Sequence, residues 1–127
     1  MPPMSAARKA LNKKARRRSV GFPIATVAYY GPTDQLATKV AVGIIDAQDK
    51  TVALERWFST TQDARIDEDI RQAIMAFIES HNVYRVAMFD RIIGCPHEEG
   101  VDYPEGESCP QCPFWKGRDR WTGQPLD

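Results

Sequence analysis

Residues 66–89 read IDEDIRQAIMAFIESHNVYRVAMF, and this stretch decides the fold class. The acidic residues 67–69 precede a helical pattern, where the positive end of a helix dipole favours acids, and Asn82 indicates its end. The apolar run at residues 86–89 then predicts a short buried strand that the helix returns to the sheet. The apolar residues spaced as one buried helix face are Ile66, Ile70, Ala73, Ile74, Phe77 and Ile78.

Three strands are predicted before the helix. Residues 22–30 are rich in strand formers and end at the turn cluster of residues 31–34. Residues 40–45 are apolar on both faces, which indicates a central strand, and residues 52–58 form a third strand. The short connections indicate antiparallel neighbours. The expected fold class is α+β, with a three-stranded antiparallel meander, a crossover helix, a fourth strand and a C-terminal segment stapled by zinc.

This order of elements resembles the first part of a ribonuclease-H-like domain. Metal-binding carboxylates of that family lie on the first strand, the helix and the fourth strand, and Asp90 matches the last position. The first predicted strand contains no acid, so a two-metal nuclease site would lack a necessary ligand. The resemblance therefore implies an architecture and no activity. Asp90 and Arg91 are also open to interpretation as a turn pair or as support for a neighbouring metal site.

The segment after the fourth strand carries metal ligands. Cys95 and His97 are followed, after eleven residues, by Cys109 and Cys112 in the sequence Cys-Pro-Gln-Cys. Zn²⁺ prefers four sulfur or nitrogen donors, and a Cys-x-x-Cys turn aims two sulfurs at one ion. The four residues therefore predict one tetrahedral site with Zn²⁺ as the cofactor. The alternative is that Cys95 is a small core residue, His97 is solvated and the last two cysteines form a redox pair.

The same segment resembles the zinc deaminase signature, in which a glutamate that is not a ligand transfers protons for a zinc-bound water. Glu98 or Glu99 would play that role in a zinc-dependent hydrolase or deaminase-like enzyme. The interval before Cys109 is too short for the strand and helix that normally intervene, and Cys95 completes a shell that leaves no position for water. We therefore expect a structural zinc site and no catalytic residue.

Length and cysteine content favour one small cytoplasmic domain. A chain of 127 residues allows one modest core. Its apolar runs are too short for a membrane span or a secretory signal, and three cysteines, an odd number, argue for reduced thiols. We expect a basic, disordered arm at residues 1–20, an α/β core at residues 21–93 and a zinc segment at residues 94–127.

The formal net charge of zero hides an asymmetry. Residues 1–18 carry seven basic side chains and no acid, whereas the remainder carries ten basic and seventeen acidic side chains. Such an arm can neutralise phosphates and release counterions. The alternatives are a solvated tail, an arm docked on the acidic body and an organellar transit peptide. The predicted nucleic-acid-binding residues are Arg8, Lys9, Lys13, Lys14, Arg16, Arg17, Arg18, Lys116, Arg118 and Arg120.

Aromatic residues alternate with cations in residues 114–121. Such rings can stack on the bases of single-stranded nucleic acid, but we expect Phe114 and Trp115 to pack the metal segment onto the sheet, and Trp121 is open to either role. Five acids between the ligand pairs would repel phosphate there. The expected function is a zinc-binding adaptor associated with nucleic acid or nucleoprotein, and a protein–protein interaction module is a further possibility.

Three blocks of the C-terminal part, GCPHEEG (residues 94–100), YPEG (residues 103–106) and CPQCPFW (residues 109–115), resemble a family of small uncharacterised bacterial proteins with a zinc-knuckle-like segment. Residues 25–90 are similar to theirs in layout. The resemblance implies a bacterial cytosolic origin, but no activity, substrate or partner, and it covers the basic arm least. The metal ligands that it implies are Cys95, His97, Cys109 and Cys112.

Overall fold

The computed structural model describes residues 21–119, 121, 122, 124 and 125. Within them a four-stranded sheet packs against one helix, which confirms the predicted α+β class. The predicted arm at residues 1–20 lies outside the described residues. In the described part of the chain, no helix combines the length and the apolar character needed to cross a membrane. The elements are β1 (Ile24–Tyr30), β2 (Lys39–Ile45), β3 (Thr51–Phe58), α1 (Glu68–Ser80) and β4 (Arg85–Ile92).

The sheet is mixed and has the order β3-β2-β1-β4. β2 pairs antiparallel with both β1 and β3. β4 runs parallel to β1, since α1 carries the chain back along the sheet before β4 begins. The prediction that the second strand is central is confirmed, because Val40, Val42 and Ile44 are all 1% exposed or less.

Local chemistry at both ends explains the limits of α1. Asp67 is the N-cap, and its side chain accepts a hydrogen bond of 3.1 Å from the Ile70 amide, which would otherwise lack a partner. The helix ends at Ser80, and Asn82 adopts a left-handed φ of 50° that asparagine tolerates. Ile66 precedes the cap and is 71% exposed. The expectation that Ile66 belongs to the buried helix face is therefore wrong.

The core lies between α1 and one face of the sheet. Ile70 and Ile74 are the buried helix residues, and Phe77 meets the ring of Trp57 edge-on at 5.8 Å between centroids. Among the described residues, no helix covers the opposite face of the sheet. The buried residues of this core are Ala25, Val27, Ala37, Val40, Val42, Ile44, Ala64, Ile70, Ile74 and Ile92.

β4 is an exposed edge strand, and the expectation of a buried strand at residues 86–89 is wrong. Val86, Met88 and Phe89 are 48, 60 and 40% exposed. α1 packs across β1, β2 and β3, where it contacts Trp57, and most of β4 stays outside the core. A continuous apolar run indicates a buried strand only where another layer covers it.

Asp63 fastens the loop before β2 to the segment before α1. One carboxylate oxygen accepts the Ala37 amide at 3.0 Å. The Arg65 guanidinium donates to both oxygens, at 2.8 and 2.7 Å, and also to the Gln35 carbonyl at 3.2 Å. The hydrogen bonds from Arg65 lower the pKa of Asp63 to about 2, because they favour the charged carboxylate.

Candidate metal centre

The four predicted ligands come together, as the sequence indicates, with all their ligand atoms within 4.8 Å of one another. His97 Nδ1 lies 3.3 Å from Cys95 Sγ and 3.5 Å from the Sγ atoms of Cys109 and Cys112. A tetrahedral shell with Zn–S of about 2.3 Å and Zn–N of about 2.0 Å has nitrogen–sulfur edges of about 3.5 Å. The cluster therefore has the spacing of one tetrahedral metal shell.

Hydrogen bonding does not account for this arrangement. A ring nitrogen of a neutral imidazole either donates one hydrogen or accepts one. His97 Nδ1 instead faces three sulfurs at nearly equal distances. The structure therefore does not fit the interpretation in which His97 is solvated, and the four residues could hold a metal ion.

Each half of the ligand set has a local structure that aims its side chains. The Cys112 amide donates to the Cys109 carbonyl at 3.3 Å, which closes a tight turn containing Pro110. In the first half, the His97 amide donates to Cys95 Sγ at 3.3 Å. A backbone donor of this kind stabilises negative charge on a ligand sulfur.

Cys95 and Cys112 are not predisposed to ionise without a cation. Burial, together with the neighbouring thiols Cys112 and Cys109, raises the pKa of Cys95 to about 12 against the opposing effect of the His97 amide. Burial also raises the pKa of Cys112. A thiolate is the form that binds metal, so an incoming ion must displace these protons.

Trp115 joins the metal segment, defined here as residues 94–119, to the sheet. Its ring packs against both the main core and the three cysteines, and Nε1 donates to the Gly31 carbonyl at 2.8 Å. The Gly31 amide in turn donates to the Gly94 carbonyl at 2.9 Å. The expectation that Trp115 packs the metal segment onto the sheet is therefore confirmed.

Glycine is required at position 31, because the backbone of Leu36 approaches it closely. A Cβ atom at Gly31 would lie 1.8 Å from the Leu36 carbonyl oxygen, a distance that the backbone must move to relieve. Gly31 itself is buried. The sequence identifies Gly31 only as part of a turn cluster and gives no sign of its two hydrogen bonds to the metal segment.

Lys39 forms a second junction, which sequence reasoning missed. Its side chain is only 5% exposed, and Nζ lies 3.2 Å from Glu98 Oε2 and 2.9 Å from the Pro96 carbonyl. Arg56 Nε lies 2.6 Å from the same Glu98 oxygen. A lysine beside an otherwise apolar strand was the only available signal, and it does not reveal a partner 59 residues away.

The two glutamates considered as acid–base residues both have structural contacts. Glu98 is paired with Lys39 and Arg56. Glu99 accepts a hydrogen bond of 2.6 Å from the Gly106 amide. Glu99 also borders a small cavity of about 150 Å³, together with the three cysteines of the cluster.

The remaining predicted residues are spread over the surface. Lys116 is exposed, and the Arg118 guanidinium lies 4.3 Å from the centroid of the Phe114 ring. Trp121 is 56% exposed and its ring lies 5.3 Å from that of Phe89. The predicted residues that lie outside the described part of the chain are Arg8, Lys9, Lys13, Lys14, Arg16, Arg17, Arg18 and Arg120.

Asp90 and Arg91 lie within β4 and form an exposed ion pair there, so the interpretation as a turn pair is wrong. The Asp90 carboxylate is 96% exposed and lies 3.9 Å from the Arg91 guanidinium. Arg91 also donates to the Thr122 carbonyl. These contacts tie the end of β4 to the residues that follow the metal segment.

Comparison with models of protein families, with curated proteins and with solved structures gave no match to this chain. The resemblance to small bacterial proteins with a zinc-knuckle-like segment therefore stays a prediction. The function has to be inferred from the residues of the site itself.

Proposed function

We propose that this protein is a small zinc-binding adaptor in which Zn²⁺ has a structural role and the basic N-terminal arm associates with nucleic acid. The observation that carries the zinc assignment is the complete set of three sulfurs and one nitrogen at tetrahedral spacing. Soft donors in this geometry suit Zn²⁺. Four protein ligands leave no coordination position for a reacting water.

A structural role also fits the composition of the metal segment. Its own apolar cluster consists of Cys95, Cys109 and Cys112, with Tyr103 and Trp115 packed against them. So small a cluster supplies little hydrophobic stabilisation, and a metal commonly replaces a core in segments of this size.

The nucleic-acid assignment is supported by the sequence of the arm. Seven basic side chains without an acid precede residue 19, which is enough charge for a salt-dependent interaction with phosphates. The loop between the ligand pairs holds five acids and would repel phosphate. We therefore assign phosphate contact to the arm, with Lys116 as an exposed addition.

Metal content and cobalt substitution test the zinc assignment. We expect one zinc per chain, and cobalt in its place should give the spectrum of a tetrahedral ion with three sulfurs and one nitrogen. Cys109→Ser should abolish stoichiometric binding, while the matched control Ser108→Ala should retain it. Wild-type protein that binds no zinc, or binds it with unchanged affinity after Cys109→Ser, would contradict the assignment.

Salt titration tests the role of the arm in the full chain. Affinity for single- and double-stranded DNA and RNA should fall with salt. Replacing Arg16, Arg17 and Arg18 together by glutamine should reduce the slope of log K against log salt by up to about 3 on duplex DNA. As a control, changing Lys50 and Arg71 together to glutamine should leave the slope near its original value. Salt-independent binding, or a control effect as large as that of the arm changes, would argue against the proposal.

A zinc-dependent hydrolase or deaminase-like enzyme is the second candidate, because Glu99 borders the same cavity as the three cysteines. An open coordination position would be needed for it. An exchangeable water on cobalt, together with hydrolytic activity lost in Glu99→Gln, would favour this candidate. A cobalt site without such a water would favour the adaptor over the enzyme.

We also propose that the sheet corresponds in architecture to the first part of a ribonuclease-H-like domain. The support is the order β3-β2-β1-β4 with α1 between β3 and β4 in the chain. The likeness extends to no two-metal site, since β1 has no acid and Asp90 points to solvent with 96% exposure.

A further inference from the structure

The edge of β4 carries exposed apolar side chains. β4 pairs with β1 on one side, and the described residues place no strand on the other. Its side chains from Arg85 to Arg91 are all exposed, including three large apolar ones, Val86, Met88 and Phe89. Proteins normally protect an apolar edge of this kind, because its unpaired backbone groups invite another strand.

The apolar surface continues beyond the strand itself. A groove of about 330 Å³ runs between β4 and α1 and is bordered by Met75, Ile78, Val86 and Met88. Met75 is 52% exposed although it lies on the helix side of the sheet. A partner at the β4 edge would therefore cover side chains of both elements.

We propose that the partner is β4 of a second copy, paired antiparallel about a twofold axis that passes beside Ala87. In this register Val86 lies opposite Met88 of the second copy, and the same pair occurs again by symmetry. Arg85 lies opposite Phe89 of the second copy, whose ring already packs against Trp121 at 5.3 Å between centroids. The two sheets would become one sheet of eight strands, twice the four of one copy.

The charge pattern of β4 selects this register. Opposite residues in an antiparallel pair point to the same face, so a twofold axis between identical strands must pass beside a residue. An axis beside Met88 would place Arg85 against Arg91 of the second copy and Val86 against Asp90, which sets like charges opposite each other and an acid against an apolar side chain. An axis beside Ala87 avoids both, matches Val86 with Met88, and confines the pairing to residues 85–89, since β4 departs from a regular register with β1 between Met88 and Ile92. The segment is thus complementary to itself, which favours a second copy over an unrelated protein.

A disulfide tests the register in the full-length, zinc-loaded protein, where the native cysteines are held by metal. In Ala87→Cys the two new cysteines would have Cα atoms about 4.5 to 5.5 Å apart, within reach of a disulfide. In Met88→Cys the counterparts would be about 8 Å apart, too far for one. We expect mild oxidation to cross-link Ala87→Cys to a dimer and to leave Met88→Cys largely monomeric. Equal cross-linking of both, or none of Ala87→Cys, would overturn the register.

Sedimentation analysis tests the dimer itself. The wild-type chain should have twice the monomer mass at high micromolar concentration. Met88→Lys, at a site already 60% exposed, should give a folded monomer, as judged by circular dichroism. The matched control Val52→Lys, 58% exposed on the opposite edge strand, should remain a dimer. A wild-type monomer, a Met88→Lys dimer or a monomer produced only by Val52→Lys would each refute the proposal.

Discussion

The indole of Trp115 is the contact through which the metal segment and the sheet stabilise each other, and Trp115→Phe isolates it. The substitution keeps an aromatic ring between the main core and the cysteine cluster, which Trp115 contacts together. It removes the Nε1 donor, which lies 2.8 Å from the Gly31 carbonyl. The substitution should therefore lower the free energy of unfolding by the contribution of one buried hydrogen bond and a small loss of packing.

The size of the effect follows from the burial of Gly31. A buried carbonyl that loses its donor costs about 1 to 3 kcal/mol. The smaller ring adds about 0.5 to 1 kcal/mol for lost contacts, because the site cannot collapse completely. We expect a loss of about 1.5 to 4 kcal/mol in the free energy of unfolding. For a chain of 127 residues the melting temperature would fall by roughly 6 to 15 °C.

Urea and thermal unfolding of the zinc-loaded protein measure this loss, with circular dichroism as the signal. Trp121→Phe is the matched control, since Trp121 is 56% exposed and its change should cost within about 0.5 kcal/mol. Metal stoichiometry should be unchanged in both variants, because neither residue is a ligand. If Trp115→Phe costs no more than Trp121→Phe, the indole does not couple the two parts and the reasoning fails.

Three further predictions follow from the charged groups. Asp63→Asn should cost about 1 to 2 kcal/mol at neutral pH, less than the full pKa shift implies because water screens the partly exposed pair. The pKa of Asp63 in the folded protein is lowered to about 2. Its contribution to the free energy of unfolding is therefore present above about pH 4 and is lost as the pH falls towards 2. Urea unfolding across this range should show that loss in the wild-type protein and not in the variant. Lys39→Met should lower the free energy of unfolding by about 1.5 to 3 kcal/mol, because the charged hydrogen bonds of Lys39 are lost. In a double-mutant cycle with Glu98→Gln the two losses should be non-additive. Additive losses would show that Lys39 and Glu98 do not interact. Zinc affinity, measured by competition with a chelator, should fall as the pH falls from 8 to 6. The pKa values of the Cys95 and Cys112 thiols are raised, so protons compete with the metal for these sulfurs. A constant affinity would contradict protonated thiols in the metal-free site.

Much of the fold could be predicted because its signals are local. Alternation and apolar runs indicated the three strands before α1, and a helical period with an acidic start indicated α1 itself. The structure adds that Asp67 caps the helix and so fixes the residue at which it begins. The ligand set was equally accessible, since Cys-x-x-Cys turns have a geometry of their own.

What the sequence did not predict concerns the contacts between elements that are distant along the chain. The run at residues 86–89 looks buried, but its environment depends on which strands α1 covers, and no local pattern encodes that choice. Lys39 and Trp115 likewise make contacts with Glu98 and Gly31, separated by 59 and 84 residues along the chain. Such pairings follow from tertiary packing, so periodicity alone could not have supplied them.

The contacts around the cluster favour a structural role over a catalytic one for the proposed metal. A catalytic centre needs an open position and a carboxylate free to move protons, whereas Glu98 is held by two cations. The residues next to the ligands make the junction with the sheet: Gly94 precedes Cys95 and binds Gly31, and Pro96 binds Lys39. A metal bound by Cys95 and His97 would therefore stabilise both junctions, because Gly94 adjoins the first of these ligands and Pro96 lies between them. Loss of the proposed ion would weaken the contacts of the segment with the sheet as well as its internal structure, which would account for the stability of a segment whose own apolar cluster is so small.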